Sequence, residues 1–345
     1  MPKFLLYISY KYGFPIVRPL QEEILKRGYE VAWFVEIEEN KSFLEPNERL
    51  LTSVNEVIIY KPDIVLASSN VVPHFFSGIK VQLFHGFSVN KRSINKGHFK
   101  IRGFFDLYCT QGPSTTTYFK DLEKKYGHFK VVETGWSKVD ILFPVEKNKN
   151  IKPVIFIGST FTERLSLAHN IEVFNKIVEL INEDNWDFII NLHPKMAGNI
   201  KQKFESLKKF ENVTYIPFLK NLAPLKEADL LFTDTSSIIT EFIIQNKPVV
   251  TFNNSKPKDC FINIKNVRDI KSSIERALER PNVLMKKIEE FVLEEHPYFD
   301  GSSSKRVIDA TVKFHKDNGV ASLKTKPINL VRKYKICKQL KYYKF

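Results

Sequence analysis

Acid is missing from the last 25 residues, cysteine is scarce, and no apolar run reaches the length of a membrane span. Each absence excludes something. The three cysteines, Cys109, Cys260 and Cys337, are odd in number and scattered, which argues against a disulfide framework or a zinc cluster and fits a reducing cytoplasm. No stretch of eighteen apolar residues occurs, so no spanning helix is expected. The opening Met-Pro-Lys-Phe-Leu-Leu-Tyr-Ile reads as a first strand, its apolar run being too short for a signal peptide. A G-x-x-x-x-G-K-[ST] loop is absent, against a P-loop nucleotidase, and no G-x-G-x-x-G follows the first strand, against a dinucleotide dehydrogenase. Without an Asp-x-Asp pair, neither an obligatory metal nor a cofactor is expected.

What is present is a globular chain of 345 residues, 43% hydrophobic and 13% aromatic, long enough for two cores. Its net charge of +14 is unevenly spread. Residues 321–345 hold eight Lys and Arg, leaving +6 for everything before them. These cations interleave with Leu330, Val331, Tyr334, Ile336, Leu340 and Tyr342. That is the pattern of a basic amphipathic segment for an anionic membrane surface, although a solvated terminus would share the composition. No nucleic-acid module accompanies it, so nucleic acid is not an expected partner.

Short apolar runs alternate with helical spacings throughout. Phe4–Ser9, Glu30–Val35, Asp63–Ala67, Lys80–Phe84, Leu107–Thr110 and Val131–Thr134 read as strands, with helices over Ile16–Arg27 and Pro113–Tyr126. A polar, apolar-poor stretch from Pro144 to Pro153 then separates this half from a second start at Val154–Ile157. The fold class predicted is α/β, with two Rossmann-like doubly wound parallel-sheet domains facing a cleft. The expected division is residues 1–145, 151–318 and a basic tail at 319–345.

In open parallel sheets ligands gather outside the carboxyl ends of strands, and there the polar residues cluster. The stretch Asp229–Phe252 reads strand, hydroxyl-rich loop, helix, strand. Thr233, Asp234, Ser236 and Ser237 stand where a helix N-terminus favours an anion such as a nucleotide phosphate. A serine there also serves as a plain N-cap. His85 and Gly86 end the run Val81–Phe84, and a histidine so placed can act as a general base on a bound hydroxyl. His193 and Lys195, after Phe188–Leu192, could neutralise a diphosphate; Pro194 alone would also end the strand. Thr160 and Arg164 follow Gly158 in a glycine-hydroxyl loop suited to phosphate. Gly301, Ser304 and Arg306 open the last regular helix before the tail, and Asp140 either caps a short helix or faces the cleft.

Taken together these segments resemble the CDP-glycerol glycerophosphotransferase family, the teichoic-acid primase and polymerase type. The resemblance rests on His85-Gly86, Gly135 with Asp140, Ser159-Thr160-Phe161 with Arg164, His193-Pro194, Thr233-Asp234-Thr235-Ser236-Ser237, and Asp300-Gly301 with Ser304 and Arg306. Thr235 stands where the family has tyrosine and Ser159 where it has proline. The resemblance implies the two-domain GT-B architecture and transfer of a polyol phosphate from a CDP-activated donor to a hydroxyl of a lipid-linked or oligosaccharide acceptor. His85 would be the catalytic base, and Thr160, Arg164, His193, Lys195, Thr233, Asp234, Ser236 and Ser237 would hold the donor. The enzyme would work in the cytoplasm, peripheral on the inner face of the membrane. An inverting GT-B glycosyltransferase using a sugar nucleotide for capsule or lipopolysaccharide is the alternative, and a non-catalytic basic binding protein a third.

Overall fold

A computed structural model describes residues 1–87, 99–146 and 150–343. Residues 147–149 of the expected connecting stretch and 344–345 of the tail fall outside them. The chain divides into two compact units, residues 1–140 with 295–345, and residues 141–294.

The first unit opens with β1 (Lys3–Ile8), almost wholly buried, as an apolar strand in a parallel sheet covered on both faces must be. Helix α1 (Phe14–Lys26) has proline in its first turn, where the missing N–H costs nothing. It buries Ile16, Val17, Leu20 and Ile24 along one side. Gly28, at φ +70°, turns the chain into β2 (Glu30–Val35). Next come α2 (Val54–Tyr60), β3 (Ile64–Ala67), β4 (Ile79–Gln82), β5 (Leu107–Thr110), α3 (Pro113–Tyr126) and β6 (Lys130–Glu133). The strands lie in the order β2-β1-β3-β4-β5-β6, all parallel. The chain runs outward from β1 to β2, then returns to place β3 on the other side of β1. That reversal is the topological switch point, where the loops leaving β1 and β3 diverge and a crevice opens.

The second unit repeats the scheme. It contains β7 (Val154–Ser159), α4 (Ile171–Glu183), β8 (Asp187–Leu192), α5 (Gly198–Glu205), β9 (Val213–Tyr215), α6 (Ala223–Glu227), β10 (Leu230–Thr233), α7 (Ile238–Ile243), β11 (Val249–Phe252), β12 (Ile262–Ile264), α8 (Ile270–Leu278) and α9 (Asn282–Glu295). The order β12-β11-β10-β7-β8-β9 puts the switch point between β7 and β10. Leu231 pairs with Phe156 and Phe232 with Ile157, so the loops after Ser159 and Thr233 leave side by side. Ile155, Ile157, Phe188, Ile190, Leu230 and Phe232 of the sheet pack against Val173 and Ile177 of α4 and Ile274 of α8 in one buried cluster.

The last elements differ from the expected division at residues 318 and 319. Helix α10 (Ser303–Lys316) and helix α11 (Leu330–Leu340) both belong to the first unit. Packing is the reason. Arg27 of α1 reaches Asp309 of α10 at 2.7 Å, and the α10 N-terminus is capped by Asp140. Ile336 and Leu340 of α11 join the core that holds Tyr7, Phe76 and Phe84. The tail is therefore a docked helix with a buried face.

Candidate active site

The second switch point is assembled around Asp234, which is fully buried. Its carboxylate accepts from Ser159 Oγ at 2.6 Å, from Thr160 N at 3.1 Å and from Leu167 N at 3.0 Å. One side chain after β10 thus pins the loop after β7. Burial pushes the Asp234 carboxyl up from its ordinary value, and the bonds from Ser159, Leu167 and Thr160 pull it back toward the charged form. Ser159 Oγ also meets Ser166 Oγ at 2.8 Å, closing the loop on itself. Asp234, expected to hold the donor, instead has its oxygens occupied by the protein and positions the residues that flank it.

Thr235, at the position where the resembled family carries tyrosine, is also engaged: its Oγ1 accepts from Ser255 N at 2.9 Å. Asn254 donates to the Asp234 carbonyl at 3.0 Å, so the loop after β11 braces the same turn. Ser236 is half-buried and Ser237 exposed at the start of α7, where a ligand can reach both hydroxyls. Thr233 is fully buried at the end of β10.

His193, half-buried, leaves β8 beside this crevice. Its Nδ1 accepts from Lys195 N at 3.1 Å, which in the neutral ring puts the proton on Nε2. Phe161 lies against the imidazole with 4.6 Å between ring centres, and Lys195 Nζ sits 5.7 Å from the Phe161 ring. Thr160, Arg164, His193, Lys195, Ser236 and Ser237 are thus all borne by loops at the carboxyl ends of three adjacent strands, β8, β7 and β10. The sequence spread them over 78 positions; the parallel sheet collects them.

His85 occupies the corresponding place in the first unit. It follows β4 after Phe84, whose φ of +58° turns the chain sharply at the strand end. The imidazole is exposed, with Nδ1 3.3 Å from the Ser68 carbonyl oxygen. That contact suits an Nδ1–H donor, leaving Nε2 as the basic nitrogen. Tyr12 lies beside it at 5.3 Å and stacks on Tyr10 at 5.4 Å. The loops after β1, β3 and β4 therefore converge on His85, with Gly86 next along the chain.

The remaining predicted residues do other work. Asp140 accepts from Ser303 N at 2.9 Å, Ser304 N at 2.7 Å and Ser304 Oγ at 2.6 Å, filling the α10 N-terminus with a carboxylate of the protein's own. Arg306 donates to the Thr134 carbonyl and forks onto Asp300 at 2.8 and 3.1 Å. Gly301, at φ +63°, makes the turn that brings Asp300 round to it. Gly135 is required by close approach, since a Cβ there would stand 2.4 Å from Ser303 Oγ. This second carboxylate network, with Asp140 half-buried and Asp300 exposed, was signalled in the sequence only as anion-friendly residues; which anion they face is a matter of packing. His296, missed altogether, is fully buried, with Nε2 accepting from Trp136 N at 3.1 Å.

A cavity of about 690 Å³ lies elsewhere, at the amino ends of β3 to β5, lined by Asp63, Lys80, Asp106 and Lys326. Its charges are spent within the fold, with Lys326 on Asp106 at 2.6 Å and Lys80 Nζ on the Phe76 and Gly78 carbonyls. Among the described residues no group of three His, Cys, Asp or Glu side chains could hold a metal ion.

Two strand-end sites on two Rossmann-like sheets invite comparison with known proteins. The sequence profile described as UDP-N-acetylglucosamine 2-epimerase matches residues 128–311, just over half of the chain. The chain belongs to the UDP-N-acetylglucosamine 2-epimerase family. No curated protein matches the sequence. Among solved structures, one of the wall teichoic acid polymerase TagF, a histidine variant soaked with CDPG, aligns with TM-score 0.63 and 15% identity over 92% of this chain and 90% of that one. UDP-GlcNAc 2-epimerase from Neisseria meningitidis bound to UDP-GlcNAc aligns with TM-score 0.60 and 14% identity, covering 90% and 100%. A putative UDP-N-acetylglucosamine 2-epimerase from Listeria monocytogenes gives 0.63 and 16%, covering 92% and 97%. The architecture is GT-B, shared by teichoic-acid polymerase and epimerase alike. The family that matches the sequence is the epimerase one, whereas the motifs resembled the glycerophosphotransferases.

Proposed function

We propose that this member of the epimerase family is a transferase that moves a polyol phosphate, such as glycerol phosphate, from a CDP-activated donor to a hydroxyl acceptor in cell-surface polymer synthesis. The observation that carries this reading is the pair of strand-end sites. A loop cluster at the second switch point offers hydroxyls, a guanidinium, an ammonium and an Nε2 donor to a diphosphate. A lone exposed imidazole, oriented through Ser68, stands at the first. Transfer of phosphorus to a hydroxyl asks for one base and a held diphosphate.

In this mechanism His85 Nε2 accepts the proton of the acceptor hydroxyl as its oxygen bonds to the β-phosphorus. The bond from that phosphorus to the bridging oxygen breaks, and CMP leaves carrying the oxygen. His193, Lys195, Arg164 and the Ser236 and Ser237 hydroxyls meet the charge on the leaving group. Asp234 holds the Thr160 loop in register for it. The acceptor expected is lipid-linked or a glycan. A second reading, reaction of a UDP-sugar, is favoured by the family profile, which covers the whole of the second sheet.

Products measured as CMP from CDP-glycerol and CDP-ribitol, and as free UDP or an altered sugar from UDP-sugars, separate the two. We expect CMP release from a CDP-polyol, and His85→Ala to lower turnover by about 10²–10⁴-fold with donor affinity kept. UDP-sugar turnover without CMP release, or equal loss of binding and turnover in the variant, would overturn the transferase reading.

A further inference from the structure

Helix α11 has two unlike faces. Toward the first unit it presents Ile336 and Cys337, which are 8% and 1% exposed, with Tyr342 lying 4.5 Å from the Phe75 ring. Its approach is fastened by Lys326, on Asp106 and the Phe104 carbonyl, and by Asn329 Nδ2 on the Arg102 carbonyl at 2.6 Å. The other side holds large apolar residues out in solvent. Ile328 is 70% exposed, Leu330 72%, Val331 69% and Tyr334 57%. Burying such side chains is favourable, so a group of them left outside is a surface suited to a partner. Next to it along the helix stand the exposed cations Lys335, Lys338 and Lys341, and the whole segment 321–345 holds no acid.

We propose that the outward face of α11 seats the protein on an anionic phospholipid surface. Leu330, Val331 and Tyr334, with Ile328 beside them, enter the interface, and Lys335, Lys338 and Lys341 meet the headgroup charge. The chemistry favours this occupant: a groove without acidic residues would cover the apolar group but gain nothing from the cationic flank, whereas an anionic bilayer satisfies both. No helix among the described residues is long and apolar enough to cross a membrane, and this mode of attachment requires none.

Removing residues 321–345 would uncover Phe75 and the core beneath Ile336, so substitutions confined to the outer face are the sound probe. Full-length protein is sedimented with vesicles of phosphatidylcholine alone and of phosphatidylcholine with phosphatidylglycerol, at low and high salt. We expect binding to the anionic vesicles only, weakened by salt. Lys335→Glu with Lys338→Glu and Lys341→Glu should lower partitioning roughly 100-fold, about fivefold or more for each cation. Leu330→Ser with Val331→Ser and Tyr334→Ser should lower it about tenfold or more, with the melting temperature of both variants held near wild type. Equal binding to neutral vesicles, or binding untouched by either set, overturns the proposal. So does a change of oligomeric state caused by the apolar set without vesicles, which would make the face a self-association surface. Lysine reversal that abolishes duplex DNA binding and spares vesicle binding would assign the cations to nucleic acid.

Discussion

A buried carboxylate facing several hydrogen-bond donors is expensive to remove, because its partners are left unsatisfied in a medium that punishes them. Asp234 is such a group, holding Ser159 Oγ and the N–H groups of Thr160 and Leu167. Asp234→Ala should destabilise the second unit by about 3 kcal/mol and weaken donor binding, read as a lower urea midpoint and a raised donor KM. Asp234→Asn, which keeps one acceptor oxygen, should lose less of both. At this scale the sequence marked which residues follow strands, and not which of them face inward. Thr233-Asp234-Thr235-Ser236-Ser237 was legible as a strand-end loop from its place after an apolar run. That Asp234 turns inward while Ser237 turns out is decided by the neighbouring strand, 74 residues earlier at Thr160. Local pattern carries no term for that.

Among elements, the contact between the segment after β6 and the connection from α9 to α10 stores a titration. His296 is buried, its Nε2 takes the Trp136 N–H, and Arg306 nearby adds its charge, so the imidazole falls from 6.5 to about 4. The backbone carbonyls of His296 and Tyr298 and the charge of Asp300 oppose the shift without cancelling it, with the Tyr298 ring packed alongside. Between these two values the unfolded chain binds the proton that the folded one refuses. Stability is therefore full above pH 6.5, falls as the pH drops toward 4, and levels off below, by about 3 kcal/mol in all. His296→Gln keeps an acceptor for Trp136 and cannot titrate. The gap between wild-type and variant denaturation midpoints should shift in the variant's favour from pH 7.5 to 4.5. The strands themselves were readable because parallel, doubly covered strands are continuous apolar runs, as in Leu230–Phe232. His296 was not, since a lone His-Pro gives no hint of a partner 160 residues away.

On the scale of the whole molecule, the alternation of strand and helix sufficed to predict two doubly wound sheets. It did not predict that the chain comes back. The return of α10 and α11 to the first unit rests on Arg27 with Asp309, Asp140 with Ser303 and Ser304, and Ile336 in the core, contacts between positions up to about 330 residues apart. The second unit is by contrast a single uninterrupted segment with its own buried cluster. A fragment of residues 141–294 should therefore fold alone with one cooperative urea transition, whereas residues 1–140 should remain protease-sensitive until residues 295–345 are supplied, in the same chain or separately.

That discontinuity has a consequence for synthesis. A ribosome emits the segment for the first sheet before the second unit, yet the helices that seal it emerge only after that unit. Residues 141–294 can settle while both flanks wait, and the nascent protein must keep Tyr7, Phe76 and Phe84 from sticking elsewhere until residues 295–345 have been made. Birth order and maturation order are inverted.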